Sequence, residues 1–332
     1  MAAGLGGTAA DVALVRELTE IRVLVEVADR GQPQVNRRRF VLTRSGLEVS
    51  GIDAVARPLY RLVRPVLRSW LGRVALAAVV VGGVVSLCFG RPAGPQVSDH
   101  SWVDALLGMT IALGCSALHE LGHAVTLVHY GRKSLRAGCG FYWGALCFYV
   151  DSSQALTLTR RARMVNALAG LGVDVVTTSV LLMISQVSTV VLIYAVCWRV
   201  AILSMVDMVE NALPILEVDG QIALSDALDE PDLSRRSREA LGRRLRRTRR
   251  SETPRWLPWF GLFSLTGGIA LLAISTYVWW YAIQDLIAAL FAGNGLEIVL
   301  GVYLILPFLV GTLFSVLGLI IETFGQPPDS SV

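Results

Sequence analysis

The sequence is short of charge. Only 17% of its 332 residues are charged while 54% are hydrophobic, whereas a soluble domain has roughly a quarter of its residues charged. That deficit excludes an ordinary soluble globular protein. Cysteine pairs with metal-finger spacing are missing too. The five cysteines, Cys88, Cys115, Cys139, Cys147 and Cys197, include no CxxC and lie in or close to apolar stretches, where Cys behaves as a small hydrophobe. They receive neither a disulfide nor a metal role. Histidine is scarce, with four in the chain. Internal repeats and low-complexity tracts are absent, and no removable signal peptide is expected, because residues 1–70 are polar and Arg-rich.

What is abundant is apolar sequence in long runs. A helix needs about 20 mostly apolar residues to cross about 30 Å of hydrocarbon. Six stretches qualify: Leu71–Gly90, Trp102–Val128, Met164–Ile184, Val187–Leu216, Trp256–Ile283 and Leu296–Ile321. The fold expected is all-α and polytopic, with about six transmembrane helices. Of the 30 basic residues, 12 lie at or before Arg73, six between Arg132 and Arg163, and ten between Arg235 and Arg255. Six crossings put these three groups on one side, with Arg91 alone opposite and Arg199 inside a helix. The positive-inside rule makes that side cytoplasmic, both termini included, and the expected location is the cell membrane. The net charge of +4 then follows from topology and does not point to nucleic acid.

Three regions are expected: a small cytoplasmic part at 1–70, a membrane domain at 71–323 with its core at 100–240, and a tail at 324–332. In the first, Arg22–Ala28 and Phe40–Val49 are β-branched runs that predict a strand pair. Ile52–Trp70 is a basic amphipathic helix leading into the first span, either holding substrate or lying on the membrane surface. Ala137–Val150 is too short to cross as a helix and rich in aromatics and Gly, so a re-entrant β-like hairpin covered by protein is expected. Glu217–Arg255 is expected to be a cytoplasmic loop ending in arginines that touch lipid headgroups.

The chemistry is concentrated in the second span, at His119-Glu120-Leu121-Gly122-His123. Helical residues four apart share a face, so both imidazoles can reach one metal ion. Glu120 stands beside them, placed to take a proton from a water that the metal activates. Zinc suits such a site, since it accepts imidazole nitrogens and keeps a position open. Ionisable groups deep in a span cost at least about 2.5 to 3.5 kcal/mol on insertion scales, so they call for a paired or functional explanation. A catalytic zinc takes a third protein ligand. His100 lies in an external loop and His129 is on the wrong face, which leaves a carboxylate: Asp207, Glu210, Glu217 or Asp219. Asp174 and Arg199 both fall near mid-membrane and are expected to form a buried ion pair. Asp207 and Glu210 are candidates for orienting a ligating His or for structural polar packing.

Asn211-Ala212-Leu213-Pro214-Ile215-Leu216-Glu217-Val218-Asp219-Gly220 resembles the N-x-x-P…DG signature of the site-2 protease family of intramembrane zinc metalloproteases. Phe148–Ser153 with Arg160-Arg161 and Ala169-Gly170 is similar to that family's re-entrant segment and following helix. Asp219–Asp226 with Pro231-Asp232-Leu233 looks most like its branch of peptide zinc metalloproteases, often found with ribosomally made, modified peptides. The resemblance covers residues 100–240. It implies one zinc ion held by His119, His123 and Asp219, Glu120 as catalytic base, and Asn211 positioning substrate or steadying the oxyanion. Pro214 would break the helix and let the chain turn toward the metal. Two departures bear on substrate positioning: Gly170-Leu171 stands where relatives often have Gly-Pro, and Leu213 replaces a second Asn. There is also no room for the PDZ or CBS domain of larger relatives.

The function expected is hydrolysis of a peptide bond in or beside the membrane. Maturation of a small ribosomally made peptide or its leader is favoured over release of a membrane-tethered regulator, both with a peptide or membrane-protein substrate. A metal-binding transporter is the reading from another class, but transporters tend to carry inverted repeats and none is visible. Oligomeric state is left open.

Overall fold

The computed structural model describes residues 40–43, 46–134, 136–142, 145–215, 218–230, 233–245 and 254–324. The run at Arg22–Ala28, the candidate ligand Glu217, Pro231-Asp232, the arginines at 246–250 and the tail from 325 lie outside the described residues.

The protein is an all-α polytopic membrane protein with a small sheet. Strands β1 (Phe40–Thr43) and β2 (Gly46–Ser50) lead to helix α1 (Asp53–Arg68), and then to α2 (Trp70–Cys88) and α3 (Ser101–His129). Strands β3 (Arg136–Tyr142) and β4 (Ala145–Val150) follow. The rest is helical: α4 (Arg160–Ala167), α5 (Ala169–Val187), α6 (Val191–Ala212), α7 (Asp219–Leu228), α8 (Leu233–Leu245), α9 (Leu257–Phe291) and α10 (Gly295–Phe324). Among the described residues, six segments are long and apolar enough to cross a membrane: α2, α3, α4 with α5, α6, α9 and the Gly295–Gly318 part of α10.

The spans differ from expectation at their ends. The third starts early, at Arg160, and breaks at Leu168 before resuming as α5. The fourth starts at Val191, because Val187 still belongs to α5, and it stops at Ala212. Leu213 is extended, as the residue before a proline is driven to be. The fifth runs on to Phe291. Within the expected 217–255 loop, α7 and α8 are helices. The apolar side of α8 packs Leu233 and Ala240 against Leu257 at the start of α9.

Phe40–Val49 does not act as one strand. Its two halves pair with each other, Thr43 standing opposite Gly46. All pairings in the sheet are antiparallel, in the order β1-β2-β3-β4. β2 therefore joins the N-terminal hairpin to the 136–150 hairpin, with Leu47 opposite Cys139. β4 is left with a free edge among the described residues.

The core lies where α5 and α6 meet. Leu181 and Leu182 pack on Val196, Trp198, Val200 and Ala201, with Leu107, Ile111 and Cys115 of α3 closing the other side. A second cluster sets Ala105 against Ile283, Leu286, Ile287 and Leu290 of α9. Small residues allow close approach where no water is present to drive association: a Cβ on Gly83 of α2 would meet the Ser179 side chain of α5. By contrast α2 and α10 keep most of their apolar surface outward, with 11% and 6% of their span windows buried.

Candidate metal centre

Helix α3 runs unbroken through the HExxH motif, so His119 and His123 stack on one face with Nε2 atoms 3.3 Å apart. The third group arrives from the far end of α6. That helix ends at Ala212, the chain turns at Pro214, and α7 starts at Asp219. Gly220 makes the turn possible, because a Cβ there would run into the carbonyl oxygens of Ala212 and Asn211. Asp219 Oδ2 thereby comes within 3.1 Å of His119 Nε2 and 3.4 Å of His123 Nε2.

These three distances form a nearly equilateral triangle. Zinc bonds of about 2.0–2.1 Å in a tetrahedron imply ligand atoms about 3.3–3.4 Å apart, so the side chains fit around one small cation without rearrangement. Among the described residues, no Lys or Arg lines the surrounding cavity. The donor set is two imidazoles and a carboxylate, grouped as a possible metal site.

The other nitrogen of each ring is also held. His123 Nδ1 is 2.7 Å from the carbonyl oxygen of Asn166, and His119 Nδ1 is 2.7 Å from Asp174 Oδ2. An Nδ1–H donated to each oxygen leaves both Nε2 lone pairs facing Asp219. Gly170 lies between these two holds, and a Cβ on it would strike the His119 imidazole. The expected Asp174–Arg199 ion pair is therefore not formed. Arg199 turns the other way, donating to the Gln96 carbonyl oxygen at 2.6 Å and standing 4.0 Å from Asp104. The physical reason is geometric: α5 packs on α3, so the nearest group to Asp174 is an imidazole.

Glu120 faces the same cavity, whose volume is about 370 Å³, along with Asp174, Asp207, Glu210, Asn211 and Asp219. Its Oε2 accepts a hydrogen bond from the Val150 amide at 2.9 Å, which pins the end of β4 beside the metal site. Asp207 and Glu210 stand on the wall shared with a second, more apolar cavity of about 610 Å³ between α3, α6, α9 and α10. Neither reaches the triangle. His129 is turned away, 3.1 Å from the Tyr60 hydroxyl, and His100 precedes α3 at the end of the helix remote from the motif.

Sequence reasoning missed Asp174 as the partner of His119, the Asn166 carbonyl and the Val150 amide. Only the first left a signal: an intramembrane carboxylate four residues past Gly170 in a span that could face the histidines. The other two are backbone groups, whose positions no side-chain pattern reports. No family profile, curated protein or solved structure matches this chain.

Proposed function

We propose that this chain is a zinc metalloprotease of the site-2 protease type, hydrolysing a peptide bond in or beside the bilayer. The observation that carries the reading is the His119–His123–Asp219 triangle, with sides of 3.1 to 3.4 Å, beside a glutamate lining the same cavity. Three protein ligands with a cavity alongside match a catalytic zinc, whereas structural zinc sites are closed by four. One zinc ion held there would polarise the scissile carbonyl and lower the pKa of a water to about 7.

Glu120 takes the proton of the attacking water and passes it to the leaving amine. Asn211, on the same cavity wall, is the side chain available to hold the substrate carbonyl. Asp174 and the Asn166 carbonyl keep both rings turned with Nε2 inward. A helical substrate hides its carbonyls, so the peptide binds extended, along the free edge of β4. The Val150–Glu120 hydrogen bond brings that edge to the base. The resemblance of residues 219–233 to peptide zinc metalloproteases favours maturation of a small ribosomally made peptide or its leader. The distribution of arginine favours a cell membrane with both termini cytoplasmic.

Labelled casein incubated with the purified, zinc-loaded protein tests the activity. Wild type is expected to release fragments. Glu120→Gln, which keeps the size and can still accept from Val150, is expected to retain zinc and lose cleavage. Substantial turnover by the zinc-loaded Glu120→Gln protein would assign the proton transfer to another residue.

A further inference from the structure

Helix α1 has three faces. At 100° per residue, Arg57, Arg61, Arg64 and Arg68 fall in one stripe about 60° wide. Ala56, fully buried, lies on a second face with the half-buried Leu59, Tyr60 and Val63, where Tyr60 reaches His129 of α3. The third face carries Val55, Leu62 and Val66, with Pro58 and Pro65 between it and the arginines. It is open: Val55 is 48% exposed and Leu62 71%.

Among the described residues, neither open face has a protein partner that accounts for it. Arg57 pairs with Asp53 at 2.6 Å, and Arg64 lies over the Tyr60 ring at 5.9 Å. Arg61 and Arg68 have no partner among the described residues. A single extended residue, Ser69, separates α1 from the span α2, so α1 ends at the rim of the hydrocarbon. An apolar face flanked by a stripe of guanidinium groups on that rim matches a helix lying in the membrane interface, with its arginines at phosphate level.

We propose that α1 is an in-plane helix that binds anionic phospholipid through Arg57, Arg61, Arg64 and Arg68, with Val55, Leu62 and Val66 among the acyl chains. The charge complementarity commits the stripe to lipid phosphate, and the adjoining apolar face commits it to a bilayer rather than to a soluble anion. This inference does not rest on the metal centre.

Photocrosslinking of the full chain tests it, with a benzophenone amino acid in place of Leu62 and nanodiscs of mixed phosphatidylglycerol and phosphatidylcholine. Mass spectrometry is expected to find lipid adducts enriched in phosphatidylglycerol over the bulk mixture by about fivefold or more, since each basic residue at an anionic surface contributes about that factor. Arg61→Gln with Arg68→Gln, which disturbs no contact among the described residues, should cut the enrichment by about fivefold or more, and added salt should do the same. Replacing all four arginines by Gln should bring the adducts to the bulk ratio. The proposal is overturned if the Leu62 probe yields no lipid adduct, if enrichment is absent in wild type, or if it survives the four-Gln change. Repeating the reaction in native membranes covers the competing occupant: adducts to an acidic protein in place of lipid would also overturn it.

Discussion

Asp174 Oδ2 lies 2.7 Å from Nδ1 of His119, and both side chains are 13% exposed. The contact joins α5 to α3, and a proton on Nδ1 donated to Asp174 would leave Nε2 free to bind a metal. Removing such a partner of a ligating histidine typically lowers metal affinity by about 10–100-fold. Asp174→Ala is expected to fall in that range by chelator competition, and Asp174→Asn, which can still accept the Nδ1 proton, to lose less. Equal affinity for Asp174→Ala and wild type would mean that the contact does not serve the metal.

Asp219 is expected to be indispensable for metal retention. Asp219→Ala should strip most of the zinc from the purified protein, while Asp207→Ala should keep it, because Asp207 lines the cavity without joining the triangle. Full occupancy in Asp219→Ala with loss in Asp207→Ala or Glu210→Ala would reassign the third ligand.

Gly170→Ala provides a test by one methyl group. The new Cβ would collide with the His119 imidazole, whereas one at Gly114 of α3 meets nothing within 4 Å. Gly170→Ala is therefore expected to lower zinc content sharply without loss of the folded protein, and Gly114→Ala to leave it unchanged. Metal analysis beside a melting curve separates the two. Equal zinc content in both variants would show that His119 can move aside at no cost.

Topology can be checked with an impermeant thiol reagent on a Cys-free background. A Cys at Arg236, at the start of α8, is expected to be unreachable from outside intact cells and labelled after permeabilisation. Labelling from outside would overturn the cytoplasmic assignment of the basic side.

Much of the architecture was legible because it depends on local pattern. Apolar runs longer than a bilayer announced six spans, and the four-residue spacing put His119 and His123 on one face whatever their surroundings. Pro214 marked a break near the end of the fourth span, although that span was expected to reach Leu216 and α6 stops at Ala212. The helix ends were less legible, as at Leu168 and Val191, because an apolar stretch does not record where its backbone turns.

The sequence by itself determined that this chain crosses a membrane, that two imidazoles face the same way inside it, and that the fourth span breaks near a row of carboxylates. The resemblance implied Asp219, and the tertiary structure brings that carboxylate to the imidazoles while Asp207 and Glu210 line the cavity without joining them. The tertiary structure also decided that Asp174 faces His119 and not Arg199, and that β2 pairs with β3 although three helices separate them in the chain. Each of these is a contact between residues far apart in the chain, chosen by how helices pack. Periodicity within one segment carries no information about its neighbour across the bundle.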